Sequence, residues 1–166
     1  MRTALSLFDR LLTALAWVAG AIAVAIVVAI CLNVALRNIL GQTIYGLFDA
    51  IEYGLLAMTF LAAPWVLSKN AHVTVDLISR GLPPGPGRRL ARITSLIGCA
   101  VAVIFLIYAF QAMTASMARG SMIRTAFTFP EWWTLSVAPL SFALIALEFL
   151  RQAVWPPGRP MTETGL

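Results

Sequence analysis

Between Leu11 and Leu36 the chain runs for 26 residues without a charged side chain. As an α-helix this stretch reaches about 39 Å at ~1.5 Å per residue, more than the ~30 Å hydrocarbon core of a bilayer. Small residues alternate at Ala19, Ala21, Ala23 and Ala25, a pattern also found in secretory leaders. The apolar region of a leader is only roughly 7 to 15 residues long, so the run is read as a retained membrane span. The rest of the chain agrees, being 60% hydrophobic and only 11% charged, where soluble domains carry about 25% charged residues. This is the composition of an integral membrane protein.

The expected fold class is an all-α membrane protein of four transmembrane helices, at about 11–36, 44–68, 93–116 and 132–150, within one membrane domain over 1–152. The tail over 153–166 has no apolar period and is expected to be disordered. The longest polar interruption, Lys69 to Arg92, holds five cations (Lys69, Arg80, Arg88, Arg89 and Arg92) against the single acid Asp76. It forms a basic, Gly/Pro-rich central loop, and no helix or strand is expected to continue through Gly81 to Gly87. Ahead of that run, Val73, Leu77 and Leu82 recur at near-helical spacing, which predicts a short amphipathic turn on the membrane surface. Pro64 and Trp65 are expected to close span 2, and Met117 to Glu131 to form a loop. Trp132 and Trp133 then open span 4 as an aromatic belt. Gly46, Ala50 and Gly54 repeat every fourth residue, a seam of small residues suited to close helix packing.

Counting cations on alternate sides gives the orientation. The N-terminus, central loop and tail hold Arg2, Arg10, Lys69, Arg80, Arg88, Arg89, Arg92, Arg151 and Arg159, nine in all, against Arg37, Arg119 and Arg124 on the other side. The excess places both termini and the central loop in the cytoplasm, N-in/C-in. It also accounts for the net charge of +5 without a nucleic-acid partner.

Chemistry of its own is not expected. One histidine, His72, excludes bis-histidine haem ligation, and the two cysteines, Cys31 and Cys99, lie in separate spans as small hydrophobes. No catalytic residue, metal or cofactor is assigned. Two acids early in span 2, Asp49 and Glu52, do require an explanation, because an acid at the centre of a membrane helix costs about 2.5 to 3.5 kcal/mol. Either the helix N-terminus favours them, or they form an ion pair with Arg37 at the end of span 1 or with a partner protein. At the end of span 4, Glu148 and Arg151 stand three apart and can pair. Spans 1 and 3 carry no charge between their ends, unlike autonomous carriers, which place ionisable groups near the midplane. The residues therefore point to an auxiliary membrane subunit.

The order of several motifs carries a family resemblance. Arg37 ends span 1; Ile44-Tyr45-Gly46, Asp49 and Glu52 open span 2; His72, Val75 and Asp76 form an H-x-x-V-D pattern before Leu82-Pro83; and TAFTFPEWW precedes a span containing Pro139. Over roughly residues 10 to 152 this resembles the small membrane subunit, DctQ-like, of tripartite ATP-independent periplasmic (TRAP) transporters. Some members carry a tryptophan before the span 2 acid, where this chain has Tyr45-Gly46-Leu47-Phe48.

The resemblance implies a bacterial inner-membrane, multi-pass subunit that pairs with a large multi-helix transport subunit and with a periplasmic substrate-binding protein. It implies uptake of organic acids driven by an ion gradient, with ion and substrate sites on the large subunit. Arg37, Asp49, Glu52, His72, Asp76, Trp132 and Trp133 are then interface or structural candidates. The alternatives are an anchoring or assembly subunit of another inner-membrane complex and, more distantly, a small autonomous carrier.

Overall fold

A computed structural model describes residues 2–79 and 84–154, with side chains placed over 6–69 and 89–154. Four helices make up nearly all of it: α1 (Arg2–Leu40), α2 (Leu47–Ser79), α3 (Pro84–Arg119) and α4 (Glu131–Val154). Each contains a segment long and apolar enough to cross a membrane. α3 packs along α4, α4 against α2 and α2 against α1, with only a brief meeting of α2 and α3. The helices therefore follow the spatial succession α1, α2, α4, α3, with the two flanking helices largely uncovered.

The helices run past the expected spans at every end but one, most of all around the central loop; the exception is the start of α2, at Leu47 rather than about 44. α2 continues to Ser79 and α3 begins at Pro84, so the Gly/Pro run does not interrupt the helix as far as Gly87. The reason is positional. Pro84 and Pro86 both fall in the first turn of α3, where backbone N–H groups have no intrahelical acceptor and a missing donor costs nothing. The expected amphipathic turn is likewise the last part of α2 up to Ser79, while Leu82 lies outside the described residues, as does the expected disordered tail beyond Val154.

Pro64 does not end the helix. It is among the most completely buried side chains, within continuous α2. Proline deprives the carbonyl four residues earlier of its donor, here Phe60. The Ser141 hydroxyl of α4 replaces it, donating to the Phe60 carbonyl at 2.6 Å. Around this bond the Phe142 ring lies edge-on to Phe60 at 5.8 Å and stacked on Phe105 of α3 at 5.2 Å, joining three helices. Close approach is set by small residues. A Cβ on Gly98 would fall 2.7 Å from the Phe149 ring, and one on Gly54 would fall 3.1 Å from Ile26.

The expected 117–131 loop contains a small hairpin, β1 (Met122–Arg124) paired antiparallel with β2 (Thr128–Pro130), Ile123 opposite Phe129. α3 stops at a glycine C-cap: Gly120 has φ +62°, its N–H reaches the Met117 carbonyl and the Ser121 N–H reaches that of Ser116. This is the paired 6→1 and 5→2 pattern of a Schellman motif. Gly41, at φ +67°, ends α1 with the single bond from its N–H to the Arg37 carbonyl.

Candidate functional site

Two stretches far apart in sequence meet at the hairpin end of the molecule. Asp49, in the first turn of α2, accepts a hydrogen bond from the Ala126 backbone N–H at 2.8 Å through Oδ2. One turn on, the Tyr53 ring stands edge-on to Phe129, centroids 5.1 Å apart. Gly46 lies beneath the hairpin turn at φ +75°, and a Cβ there would come within 2.7 Å of Ala126 and 3.0 Å of the Phe127 ring. The residue must therefore be glycine twice over, for its left-handed backbone and for the space it leaves.

Neighbouring bonds fix the frame. Buried Asn33, near the end of α1, accepts the Ile44 N–H at 2.9 Å and so holds the link into α2. Fully buried Ser116 donates to Glu131 Oε2 at 2.7 Å. The Glu131 N–H reaches the Ser121 carbonyl at 3.0 Å, closing the α3–hairpin–α4 corner. Asp49 thus combines two stabilising environments, the positive end of the α2 dipole and an amide donor from the hairpin.

Arg37, an expected partner of the two acids, pairs with neither. The ion pairs among the described residues are those of Arg151, with Asp9 and with Glu148. Arg37 is exposed and lines a recess of about 350 Å³ between α1 and α2, with Asn33, Asn38, Leu47, Phe48 and Ile51 among the other lining residues. Glu52 is exposed outside that recess. A helix turns about 100° per residue, so three positions separate the Asp49 and Glu52 side chains by about 60°, and only Asp49 meets the hairpin. Trp132 and Trp133 open α4 with rings perpendicular at 6.0 Å, Trp133 the more exposed. His72 and Asp76 are helical, on the part of α2 whose side chains are not described, roughly 35 and 40 Å along the axis from Asp49 at ~1.5 Å per residue. The site residues thus divide between the two ends of the molecule.

The opposite end carries a second polar cluster that includes the expected Glu148–Arg151 pair. Glu148 is 1% exposed, and its Oε1 accepts from Arg151 Nη2 at 3.0 Å and from Gln152 Nε2 at 2.9 Å. Arg151 also pairs with Asp9 of α1 and lies over the Phe8 ring, 5.7 Å from its centroid. Sequence reasoning missed Asp9 because it is an ordinary charge at a helix start, and nothing local marks a partner 142 residues away.

Both stretches that meet at the hairpin fall inside one family match. The family model for the DctQ component of tripartite ATP-independent periplasmic transporters covers residues 26–155. The chain belongs to this family. DctQ proteins are components of transporters rather than enzymes, and with four helices among the described residues long and apolar enough to cross a membrane this DctQ chain is a multi-pass membrane protein. None of the curated proteins matches it.

Proposed function

We propose that this DctQ chain is the small integral-membrane subunit of a TRAP-type importer of organic acids in a bacterial inner membrane. In this reading it is held against a large multi-helix transport subunit, which receives substrate from a periplasmic binding protein and is driven by an ion gradient. Both termini and the 80–83 link face the cytoplasm, and the hairpin faces the periplasm.

One observation carries the reading beyond family membership. The charged groups of the four helices flank long apolar segments: Arg2, Asp9, Arg10 and Arg37 on α1; Asp49, Glu52, Lys69 and Asp76 on α2; Arg88, Arg89, Arg92 and Arg119 on α3; Glu131, Glu148 and Arg151 on α4. The intervening segments, 11–36, 53–68, 93–118 and 132–147, have none. An organic anion crossing a bilayer needs compensating charge near the midplane, and this chain leaves that task to its partner.

The test is reconstitution. Proteoliposomes holding this chain with the large subunit, supplied with the binding protein and an imposed ion gradient, are expected to accumulate labelled organic acid. Liposomes holding the chain alone are expected to show none. Gradient-driven uptake by the chain alone overturns the assignment.

A further inference from the structure

We infer that the outward face of α2, centred on Glu52, is the seam that receives a cation-bearing transmembrane helix of the large transport subunit. The inference rests on the functional reading above. The other faces of α2 are already occupied: Gly54 faces Ile22 and Ile26 of α1, Asp49 and Tyr53 hold the hairpin, and Phe60 meets Phe142 and Ser141 of α4. The remaining arc carries Phe48, Glu52, Leu55, Thr59, Ala62 and Val66, at alternating steps of four and three. All but Ala62 are exposed, Phe48 to 73%.

Within this uncovered arc stands a full charge, Glu52. Glu52 stands five residues, about 7.5 Å, along α2 from Leu47 and immediately ahead of the charge-free segment 53–68. Ionisable residues in membrane helices face a bundle interior or a watery cavity and are paired. Within this chain Glu52 does neither: it is exposed and has no ion pair among the described residues. The complement is an Arg or Lys on the docked helix, with Phe48 and Leu55 packing on either side of the charge.

The experiment places a photo-crosslinking residue at Phe48, at Thr59 and, as control, at the exposed α1 residue Val28, in the chain co-expressed with its large subunit. Adducts with the large subunit are expected from Phe48 and Thr59 and not from Val28. In parallel, Glu52→Gln is expected to reduce recovery of the complex about tenfold while leaving the melting temperature of the isolated chain unchanged, and Glu52→Asp to restore most of the recovery. An intact complex in which Phe48 and Thr59 give only lipid adducts overturns the seam and leaves the functional reading standing. Wild-type recovery for Glu52→Gln overturns the charge pairing. Failure of the unmodified chain to retain the large subunit at all overturns both the inference and the functional reading.

Discussion

Single residues at the two ends of the bundle differ in what their loss exposes. At the hairpin end, Gly46 and Gly41 share a left-handed backbone, but only Gly46 is packed against neighbours; a Cβ at Gly41 meets nothing within 4 Å. Gly41→Ala is therefore expected to cost about 1 to 2 kcal/mol for its backbone alone. Gly46→Ala adds overlap with Ala126 and Phe127 and is expected to cost about 3 kcal/mol or more, read as the larger drop in melting temperature in detergent. At the other end, Arg151 faces a half-exposed Asp9 and a buried Glu148, with side chains 57% and 1% exposed. Asp9→Ala removes a solvent-screened pair worth less than about 1 kcal/mol. Arg151→Ala leaves a buried carboxylate without its cation and is expected to cost about 3 to 5 kcal/mol, measured by the same melts. The sequence marks Asp49 and Glu52 because acids are rare in apolar runs. It does not mark the donor to Asp49, since Ala126 offers a backbone amide, 77 residues away, that any residue there would supply.

At the scale of elements, the four helices were legible and their ends were not. A charge-free run longer than a bilayer is thick has few alternatives, because backbone groups in lipid must be satisfied within the segment. Terminators are more ambiguous, since the same proline stops a helix, starts one or lies within one, depending on where the orphaned carbonyl finds a donor. Pro84 starts α3, and Pro64 lies inside α2 because Ser141 satisfies Phe60 from another helix. That pairing depends on how α2 and α4 are aligned, which no local pattern records. It also predicts a particular coupling. With Pro64 present, Ser141→Ala orphans the Phe60 carbonyl and is expected to cost about 0.6 to 1.7 kcal/mol, the range for interhelical hydrogen bonds in membranes. In a Pro64→Ala background, residue 64 regains an N–H for that carbonyl, and the same Ser141→Ala change is expected to cost near zero. A double-mutant cycle from unfolding in mixed detergent micelles measures the difference, and equal costs in both backgrounds reject the substitution of one donor for the other.

For the molecule as a whole, the bundle has two unlike ends, and their charge predicts which way it lies in the membrane. The hairpin end is ordered by neutral or locally capped groups: Asn33 on Ile44, Asp49 on Ala126, Ser116 on Glu131. Its cations are Arg37, Arg119 and Arg124. Arg2, Arg10, Lys69, Arg88, Arg89, Arg92 and Arg151 lie toward the other end, Arg80 and Arg159 fall outside the described residues and are expected on the same side, and because cations within short loops resist translocation that end is expected to stay in the cytoplasm. The prediction is best tested in the full chain, because truncating fusions would remove helices that pack together. In a background with Cys31 and Cys99 replaced by alanine, Thr125→Cys, in the exposed hairpin turn, is expected to react with a membrane-impermeant thiol reagent in intact cells. Gly81→Cys, in the link before α3, is expected to react only after the membrane is permeabilised. The reversed pattern would place the hairpin in the cytoplasm and require an orientation in which three cations outweigh nine. Reversing the bias tests the cause as well as the result: Arg88→Glu with Arg89→Glu and Arg92→Glu leaves six cations against three, and a fraction of the chains is expected to invert, seen as Gly81→Cys labelling in unpermeabilised cells. An unchanged labelling pattern in that variant would mean that packing against a partner, rather than the chain's own charge, sets the topology.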